Sequence, residues 1–329
     1  MKLVFLRGAV PPPNEHPEKL LYDSIEECED MWTQLFYYLL EQLDAEGELL
    51  YETGGPERTF ELGRFTEKWV ESIGDYSPDF EPDIIICRGG FEYYDKFVMR
   101  YPAPKKVYYG AGERYYPQSS FKNYDLFLVD APRQMKAAQA KTSARVSLFV
   151  KPAATMFKPV DVEKRFDVCF MANAAQGEFK GHKEFLKAMA GAGLRILNLG
   201  NTRRSYTDLA DELGVDVEWG GWSLRKHLPS RISECKIGVC CSLRKDSCPR
   251  VIPEYLACGL PIIVTDSVDF WSDKYVTPQT GVMIPFTLLR QTVIDTLSRL
   301  DDFSPRAYYD KKIGMKRAVK ELAKLMGEI

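Results

Sequence analysis

Apolar runs rich in Val, Ile, Phe and Tyr recur along the whole chain. Most of them are nearly continuous rather than alternating with polar residues, which is typical of strands buried on both faces of a parallel sheet. The strands predicted in this way cover residues 2–6, 83–87, 105–109, 125–129, 145–149, 166–171, 194–199, 215–219, 236–241 and 261–265.

Apolar residues at helical spacing fill most of the intervals between these runs. The longest such stretch extends from Ser24 to Glu46, and the other predicted helices cover 62–73, 132–140, 180–191, 204–213, 223–234, 287–300 and 306–327. Alternation of strand and helix along the chain predicts a doubly wound α/β fold.

A chain of 329 residues is long enough for two domains. The segment VKPAATMFKPVDVEKRFDV, residues 150–168, contains two prolines and little periodicity, and a new strand begins at its end. We therefore predict two Rossmann-like parallel-sheet domains, over 1–155 and 156–329, that face a cleft. The last helix is expected either within the second domain or packed back on the first.

The composition, with 45% hydrophobic and 28% charged residues, is that of an ordinary globular protein. No apolar run reaches the ~18 residues that a membrane-spanning helix needs, and the apolar part of MKLVFLRGAVPPP is too short for a secretory signal. These features predict a cytoplasmic protein. Eight cysteines without a CxxC pair, and only three histidines, argue against a zinc site and predict reduced, buried thiols.

The net charge of −3 is unevenly distributed. Residues 1–83 contain 6 Lys and Arg against 20 Asp and Glu, a net charge of −14, whereas residues 84–160 contain 13 against 5, a net charge of +8. From Ala131 to Val160 there are six basic residues and no acid. This segment has two interpretations, an anionic partner or a solvated surface balanced by the acidic first third.

Ligands of open α/β sheets bind beyond the carboxyl ends of the strands, so the loops after the predicted strands are where a site is expected. After the ninth strand comes SLRKDSCPR, in which Ser247 is a candidate helix cap and Arg244 and Arg250 add positive charge. A helix beginning at Cys248 would present free N–H groups to a phosphate. Pro253 would distort its first turn, and a start at Pro253 is the alternative.

Two carboxylates, Asp246 and Glu254, flank this helix start. Glu254 is placed to accept both hydroxyls of a ribose and Asp246 those of a second sugar, while the positive helix end between them suits a diphosphate. The pattern predicts a site for a sugar joined to a nucleoside through a diphosphate. The alternative is that Asp246 caps the helix and Glu254 is a surface acid.

Two further loops of the second domain carry candidate residues. Lys180 and Gly181 open a helix after the sixth strand, where the lysine can reach a phosphate as a point charge. After the eighth strand, GGW combines glycines that would admit close backbone approach, including Gly221, with Trp222, whose ring could stack on a base. The alternatives are a surface lysine and a tryptophan packed in the core.

These residues resemble the nucleotide-binding domain of GT-B glycosyltransferases, especially retaining family-4-type and spore-coat-type enzymes. The signature of those enzymes is an acid, seven residues and a glutamate, here Asp246 and Glu254, followed by an Ala-x-Gly-x-Pro strand entry, here ACGLPIIVT. KGHKEFLKAM resembles their Lys-Gly-His helix start, and VKPAATMFKP resembles the linker before their second domain. The likeness covers about 145–290, and the N-terminal domain shares only the topology.

The resemblance implies a metal-independent, retaining nucleotide-sugar glycosyltransferase of a bacterial or phage-infected cell that transfers a hexose or pentose to a hydroxyl acceptor. Glu254 would bind the donor ribose and Asp246 the donor-sugar hydroxyls. Backbone amides from Cys248 to Val251 would bind the diphosphate, and Lys180 would neutralise the leaving phosphate. No metal or other cofactor is expected, and a UDP-sugar is favoured over a GDP-sugar as the donor.

The sequence departs from the family's pattern at three places. An arginine usually precedes the lysine by five residues, but Ala175 stands there, and we expect Arg244 or Arg250 to compensate for the lost charged contact. The first acid is Asp246 rather than a glutamate, which shortens it by one methylene. The first loop, RGAVPPPN, lacks a clear Gly-Gly pair. The loop at GGW would still hold the base.

The loops after the N-terminal strands are the expected acceptor side. Glu113 is the leading candidate for acceptor contact or general-base catalysis, with His16 second. The alternative is that Glu113 pairs with a neighbouring arginine. The remaining candidate acceptor-binding residues are Arg88, Gly89, Tyr94 and Arg114.

Tyrosines interleaved with basic residues over 88–122 suit a sugar, and they also suit an unstacked base with its phosphates. A phage-type glycosyltransferase acting on hydroxymethylated bases of DNA is therefore an alternative, and it would need a flipped or single-stranded base. A glycan, a lipid-linked sugar, a protein or a small molecule stays equally open as the acceptor. A sugar-nucleotide epimerase and a non-catalytic nucleotide-sugar binder are further alternatives, whereas the absence of GxGxxG after an early strand argues against an oxidoreductase.

Overall fold

The computed structural model describes residues 1–9, 24–52, 57–89, 92–102, 104–110, 121–174, 178–243, 246 and 248–329. The chain divides into two compact units, one of Met1–Val150 with Met315–Ile329 and one of Lys151–Gly314. The division falls a few residues before the predicted boundary at 155, and the last helix belongs to the first unit.

The described strands are β1 (Lys2–Ala9), β2 (Glu46–Glu52), β3 (Arg58–Leu62), β4 (Phe65–Val70), β5 (Ile84–Arg88), β6 (Lys105–Gly110), β7 (Leu126–Val129), β8 (Arg145–Leu148), β9 (Phe166–Met171), β10 (Arg195–Leu199), β11 (Asp216–Trp219), β12 (Cys235–Cys240), β13 (Ile262–Thr265) and β14 (Gly281–Ile284). The described helices are α1 (Met31–Leu43), α2 (Glu92–Arg100), α3 (Pro132–Gln139), α4 (His182–Met189), α5 (Arg204–Leu213), α6 (Leu228–Ser233), α7 (Val251–Ala257), α8 (Ser272–Tyr275), α9 (Leu289–Leu297), α10 (Pro305–Lys312) and α11 (Met315–Gly327).

Each unit is built on one sheet. The first sheet has the order β3-β4-β2-β1-β5-β6-β7-β8, and all neighbouring strands in it are parallel except the β3–β4 pair. The second sheet has the order β11-β10-β9-β12-β13-β14 and is entirely parallel. The prediction of two parallel-sheet α/β domains is confirmed.

The prediction of a helix over 62–73 is wrong, because this segment lies mainly in the β3–β4 hairpin. Phe65 and Trp69 are four residues apart, a spacing that fits a helical stripe and equally fits every second residue of a strand. The structure settles the period, because burial alternates along the first part of β4 and Gly63, with φ of 61°, allows the tight turn before it.

Other elements were missed or differ in length. The strands β2 and β14 and the helices α2 and α8 were not predicted. The predicted helix 24–46 is shorter, because Asp30 starts α1 at Met31 by accepting hydrogen bonds from Trp32 N and Thr33 N at 2.9 and 3.0 Å. The predicted helices 223–234 and 306–327 each contain a break, giving a 3-10 turn before α6 and separate helices α10 and α11.

Candidate active site

Two loops meet at the carboxyl edge of the second sheet, one after β9 and one after β12. Leu243 N donates a hydrogen bond to Phe179 O at 2.6 Å. Gly181 adopts φ of 76°, and a Cβ atom there would lie 2.3 Å from the Cys241 carbonyl oxygen. A larger residue at 181 would therefore push the loops apart, so the glycine explains how the chain brings these two loops together.

This contact places Lys180 beside Asp246. The Lys180 ammonium forms an ion pair with Asp246 Oδ2, which also accepts a hydrogen bond from Ser242 Oγ at 3.2 Å. The two charged side chains are only 18% and 21% exposed. The structure thus joins two residues that lie 66 positions apart. The alternatives of a surface lysine and of an aspartate that caps the following helix are both wrong.

Helix α7 begins at Val251, between the two predicted starts at 248 and 253. Pro253 occupies its third position, where a backbone N–H has no partner within the helix, so the proline costs no hydrogen bond and does not distort the turn. The Pro249 carbonyl instead accepts from Ile252 N at 3.1 Å. Cys248 lies outside the helix with φ of 38°, a left-handed conformation that is uncommon for a residue with a side chain.

Glu254 lies within α7 and is 3% exposed, so the alternative of a surface acid is wrong. Its Oε1 accepts a hydrogen bond from Arg225 Nη2 at 2.8 Å. Arg225 follows β11 in a short 3-10 turn, and its guanidinium lies 5.2 Å from the centre of the Phe157 ring. The sequence analysis missed Arg225, although a basic run, RKH, in a loop beyond a strand is a signal that could have indicated it.

The GGW loop after β11 presents its tryptophan to solvent. Trp222 is 66% exposed, so the alternative of core packing is wrong. Gly221 adopts φ of 64°, and its carbonyl accepts from Gly200 N at 2.8 Å. At Gly220 a Cβ atom would lie 2.9 Å from Leu199 Cδ2, so this glycine serves close packing against β10. The loop therefore offers an exposed aromatic face at the same sheet edge as Glu254.

Thiols and the histidine near this edge are chemically quiet. All eight cysteines are buried, as predicted, and burial raises the pKa of Cys240 to about 12. His182, which follows Gly181, stacks on Tyr206 with ring centres 4.7 Å apart, and burial lowers its pKa. None of these groups is suited to act as a nucleophile or proton carrier at neutral pH.

At the carboxyl edge of the first sheet, Arg88 ends β5. Its guanidinium lies 5.1 Å from the centre of the Trp32 ring, and its buried Nε has no hydrogen-bond partner. Arg88 is therefore a cationic side chain at this edge whose Nε has no hydrogen-bond partner among the described residues, which suits a binding residue.

The other acceptor-side predictions have mixed outcomes. Gly89 directly follows Arg88 and adopts φ of 88°, and its N–H donates to the Tyr109 carbonyl. The prediction that Tyr94 binds the acceptor is wrong, because this residue is fully buried in the hydrophobic core of the first unit. Predictions that lie outside the described residues concern His16, Glu113, Arg114, Ala175, Arg244 and Ser247.

Comparison with known proteins decides the class of the chain. Residues 154–299 match the family model for glycosyl transferases group 1. The protein is a glycosyltransferase with the GT-B fold. Its matched region contains Lys180, Asp246 and Glu254, and its activity class is transfer from a nucleotide sugar. No curated protein sequence matches this glycosyltransferase at a significant level.

Solved structures resemble the glycosyltransferase along its whole length. Sucrose-phosphate synthase from Thermosynechococcus elongatus aligns over 99% of this chain and 98% of its own, with a TM-score of 0.73 and 11% identity. A glycosyltransferase from Rickettsia africae aligns over 99% and 98%, with a TM-score of 0.71 and 12% identity. Anabaena HepE in complex with UDP and glucose aligns over 100% of both chains, with a TM-score of 0.66 and 13% identity. Likeness at these identities shows the shared fold alone.

Metal-binding clusters and membrane-spanning helices are both absent from the described residues. No group of three or more His, Cys, Asp and Glu side chains among these residues is arranged to hold a metal ion. No helix in the same part of the glycosyltransferase is long and apolar enough to cross a bilayer.

Proposed function

We propose that this glycosyltransferase binds a nucleotide sugar at the carboxyl edge of its second sheet and transfers a hexose or pentose to a hydroxyl acceptor, with retention and without a metal. The observation that carries the proposal is the placement of Lys180, Asp246 and Glu254. They come from two loops and a helix, and each is partly or fully buried with its charge directed into a hydrogen bond. Burying charged groups costs free energy, so the burial of three of them at one sheet edge indicates a binding function.

Each part of the donor has a proposed partner. Glu254 accepts the ribose hydroxyls, and the exposed ring of Trp222 provides a stacking surface for the base. Asp246 accepts hydroxyls of the transferred sugar. The diphosphate binds the backbone between Cys248 and Val251, where the first turn of α7 leaves N–H groups without intrahelical partners.

The proposed chemistry relies on electrostatic stabilisation. The bond between the anomeric carbon and the donor phosphate oxygen breaks as the acceptor oxygen bonds to the same face of that carbon. The acceptor proton passes to a donor phosphate oxygen, and the nucleoside diphosphate leaves. Lys180, held in place by Asp246, neutralises the negative charge that develops on the leaving phosphate.

The family's arginine is replaced by Ala175, so a second cation is needed near the diphosphate. Arg250 is the proposed substitute among the described residues, since its backbone caps α7 and its side chain is exposed. A UDP-sugar is the favoured donor, and the similarity in fold to a protein solved with UDP and glucose supports this choice without deciding it.

For the acceptor, the Arg88 Nε without a hydrogen-bond partner among the described residues and the net charge of +8 over 84–160 favour a molecule that carries negative charge. Hydroxymethylated DNA is therefore the second candidate substrate. If DNA is the acceptor, its affinity should fall steeply as salt rises, because each neutralised phosphate releases counterions. Binding that is insensitive to salt would remove this candidate.

The proposal is tested by measuring nucleoside diphosphate release from UDP-, GDP- and ADP-sugars. Each donor is supplied alone, with simple sugars, and with hydroxymethylated single-stranded DNA. We expect one donor to support release, Glu254→Gln to abolish it, and NMR of the product to show the donor's anomeric configuration. Lys236→Met is the matched control, since Lys236 pairs with Asp167 through a 2.7 Å contact in the same unit but follows the first residue of β12, at the opposite edge. Absence of release from every donor would contradict the proposal.

A further inference from the structure

The ion pair between Arg225 and Glu254 links a loop and a helix that bind different parts of the nucleotide in the proposed donor site. Arg225 lies three residues after Trp222, on the loop proposed to hold the base. Glu254 lies on α7 and is proposed to bind the ribose. Their contact of 2.8 Å involves one carboxylate oxygen, Oε1, and the other, Oε2, makes no hydrogen bond to the described residues.

Arg225 has a second contact, with a phenylalanine that is connected to the end of α7. The Arg225 side chain is 26% exposed and packs 5.2 Å from the centre of the Phe157 ring. The Phe157 carbonyl accepts from Arg306 Nη1 at 3.2 Å, and the same nitrogen donates to the Ala257 carbonyl at the end of α7 at 2.6 Å. Arg225 thus packs on a residue whose backbone is joined, through Arg306, to the end of the helix that carries Glu254, and this second contact orients the guanidinium toward the carboxylate.

Electrostatics give the contact a function. A carboxylate as buried as Glu254 is costly to keep ionised without a counter-charge, and a guanidinium supplies both the charge and a directional hydrogen bond. With Oε1 occupied, the remaining lone pairs of the carboxylate are left to accept sugar hydroxyls. A buried charged acceptor rejects a ligand that lacks the matching hydroxyl, because the acceptor is then left without a partner.

We infer that Arg225 is a positioning residue that sets donor specificity: it orients Glu254 so that the site accepts ribonucleotides and rejects deoxyribonucleotides. This inference rests on the proposed function, in which Glu254 binds the ribose. It concerns the sugar of the nucleotide and is independent of the base and of the acceptor.

Two other roles for the contact between Arg225 and Glu254 predict different effects on nucleotide binding. If Arg225 instead occupies the space of the ribose, it competes with the donor, and removing it should tighten nucleotide binding. If the pair only stabilises the fold, removing it should lower the free energy of unfolding and weaken the binding of ribonucleotides and deoxyribonucleotides equally.

Calorimetric titration with UDP and 2′-deoxy-UDP distinguishes these roles, with GDP, ADP and their deoxy forms tested in parallel. The variants are Arg225→Met, Arg225→Lys and Glu254→Gln. Arg231→Met is the matched control, because Arg231 has a similarly exposed side chain, 24%, and pairs with Glu218 and Glu234 rather than with the proposed site. Thermal unfolding of each variant verifies that it is folded.

We expect the wild-type enzyme to bind the preferred ribonucleotide about 10- to 100-fold more tightly than its deoxy form. Arg225→Met should weaken binding of the ribonucleotide and reduce this affinity ratio to near 1, and we expect the same of Glu254→Gln. Arg225→Lys should keep part of the ratio because it keeps the charge, and Arg231→Met should leave the ratio unchanged.

Other results overturn the inference. Tighter binding by Arg225→Met, or an unchanged ratio in a folded Arg225→Met, means that Arg225 does not position Glu254 for the ribose. If the wild-type enzyme binds none of the nucleotides, the proposed function itself fails and the inference falls with it. These two failures are distinct, because the first is seen only when the wild-type enzyme binds.

Discussion

At the scale of single residues, Lys180 is the side chain on which the proposed chemistry depends most. Lys180→Met removes the cation expected at the leaving phosphate, and we expect kcat/KM to fall by about 10²- to 10³-fold, as when one preorganised stabilising donor is removed. Donor affinity, measured by titration with the nucleoside diphosphate, should change less than turnover. A variant that keeps normal turnover would show that the Lys180–Asp246 pair is structural only.

His182 gives a second prediction at this scale, on pH and stability. Burial between Tyr206 and Phe170 lowers its pKa, so the unfolded chain takes up a proton at a higher pH than the folded chain does. The resulting stability is fully present above the unfolded pKa of about 6.5 and is lost as pH falls below it. Urea unfolding at about pH 7.5 and about pH 5.5 should reveal this loss in the wild-type protein and a smaller loss in His182→Gln. Equal losses in both proteins would contradict the assignment.

At the scale of elements, close packing of β12 against α7 at Gly238 positions the helix that carries Glu254. A Cβ atom at Gly238 would lie 2.4 Å from the Tyr255 ring, and the Tyr255 hydroxyl oxygen accepts from Met171 N at 2.6 Å. Gly238→Ala should therefore displace α7, lower the free energy of unfolding by about 1–3 kcal/mol and weaken nucleotide binding. Gly327→Ala is the control, since a Cβ atom there meets nothing within 4 Å. If Gly238→Ala is destabilised but binds the nucleotide normally, the packing of α7 at this position does not determine the geometry of the donor site.

At the scale of the whole molecule, the C-terminal helix belongs to the first unit although the second unit precedes it in sequence. The buried face of α11 includes Val319, Leu322 and Leu325, each worth about 1.5–3 kcal/mol of burial. A chain ending at Gly314 would lose a stabilising free energy comparable to the free energy of unfolding of a whole domain. We expect calorimetry to show the transition of the first unit lost or lowered while nucleotide binding by the second unit persists. A common shift of both transitions would contradict this separation.

Comparison of prediction and structure shows where local sequence is sufficient. The strands predicted over 83–87 and 261–265 from their continuous apolar runs correspond to β5 and β13, because a strand buried on both faces shows no alternation that could be mistaken for another period. The segment 62–73 was wrongly predicted as a helix because its apolar spacing suits both the helical and the strand period. The start of α7 was misplaced by three residues because a proline is tolerated throughout the first turn, which a sequence pattern does not resolve.

The sequence by itself determined the α/β class, the approximate division into two domains, and the candidate donor residues Lys180, Asp246 and Glu254, since periodicity and short-range motifs carry that information. Only the tertiary structure decided which groups meet: Lys180 with Asp246, and Glu254 with the unpredicted Arg225. It also decided that Trp222 is exposed and that Tyr94 lies in the core. The physical reason is that charge pairing and burial depend on how distant loops converge at a sheet edge, which no local pattern specifies.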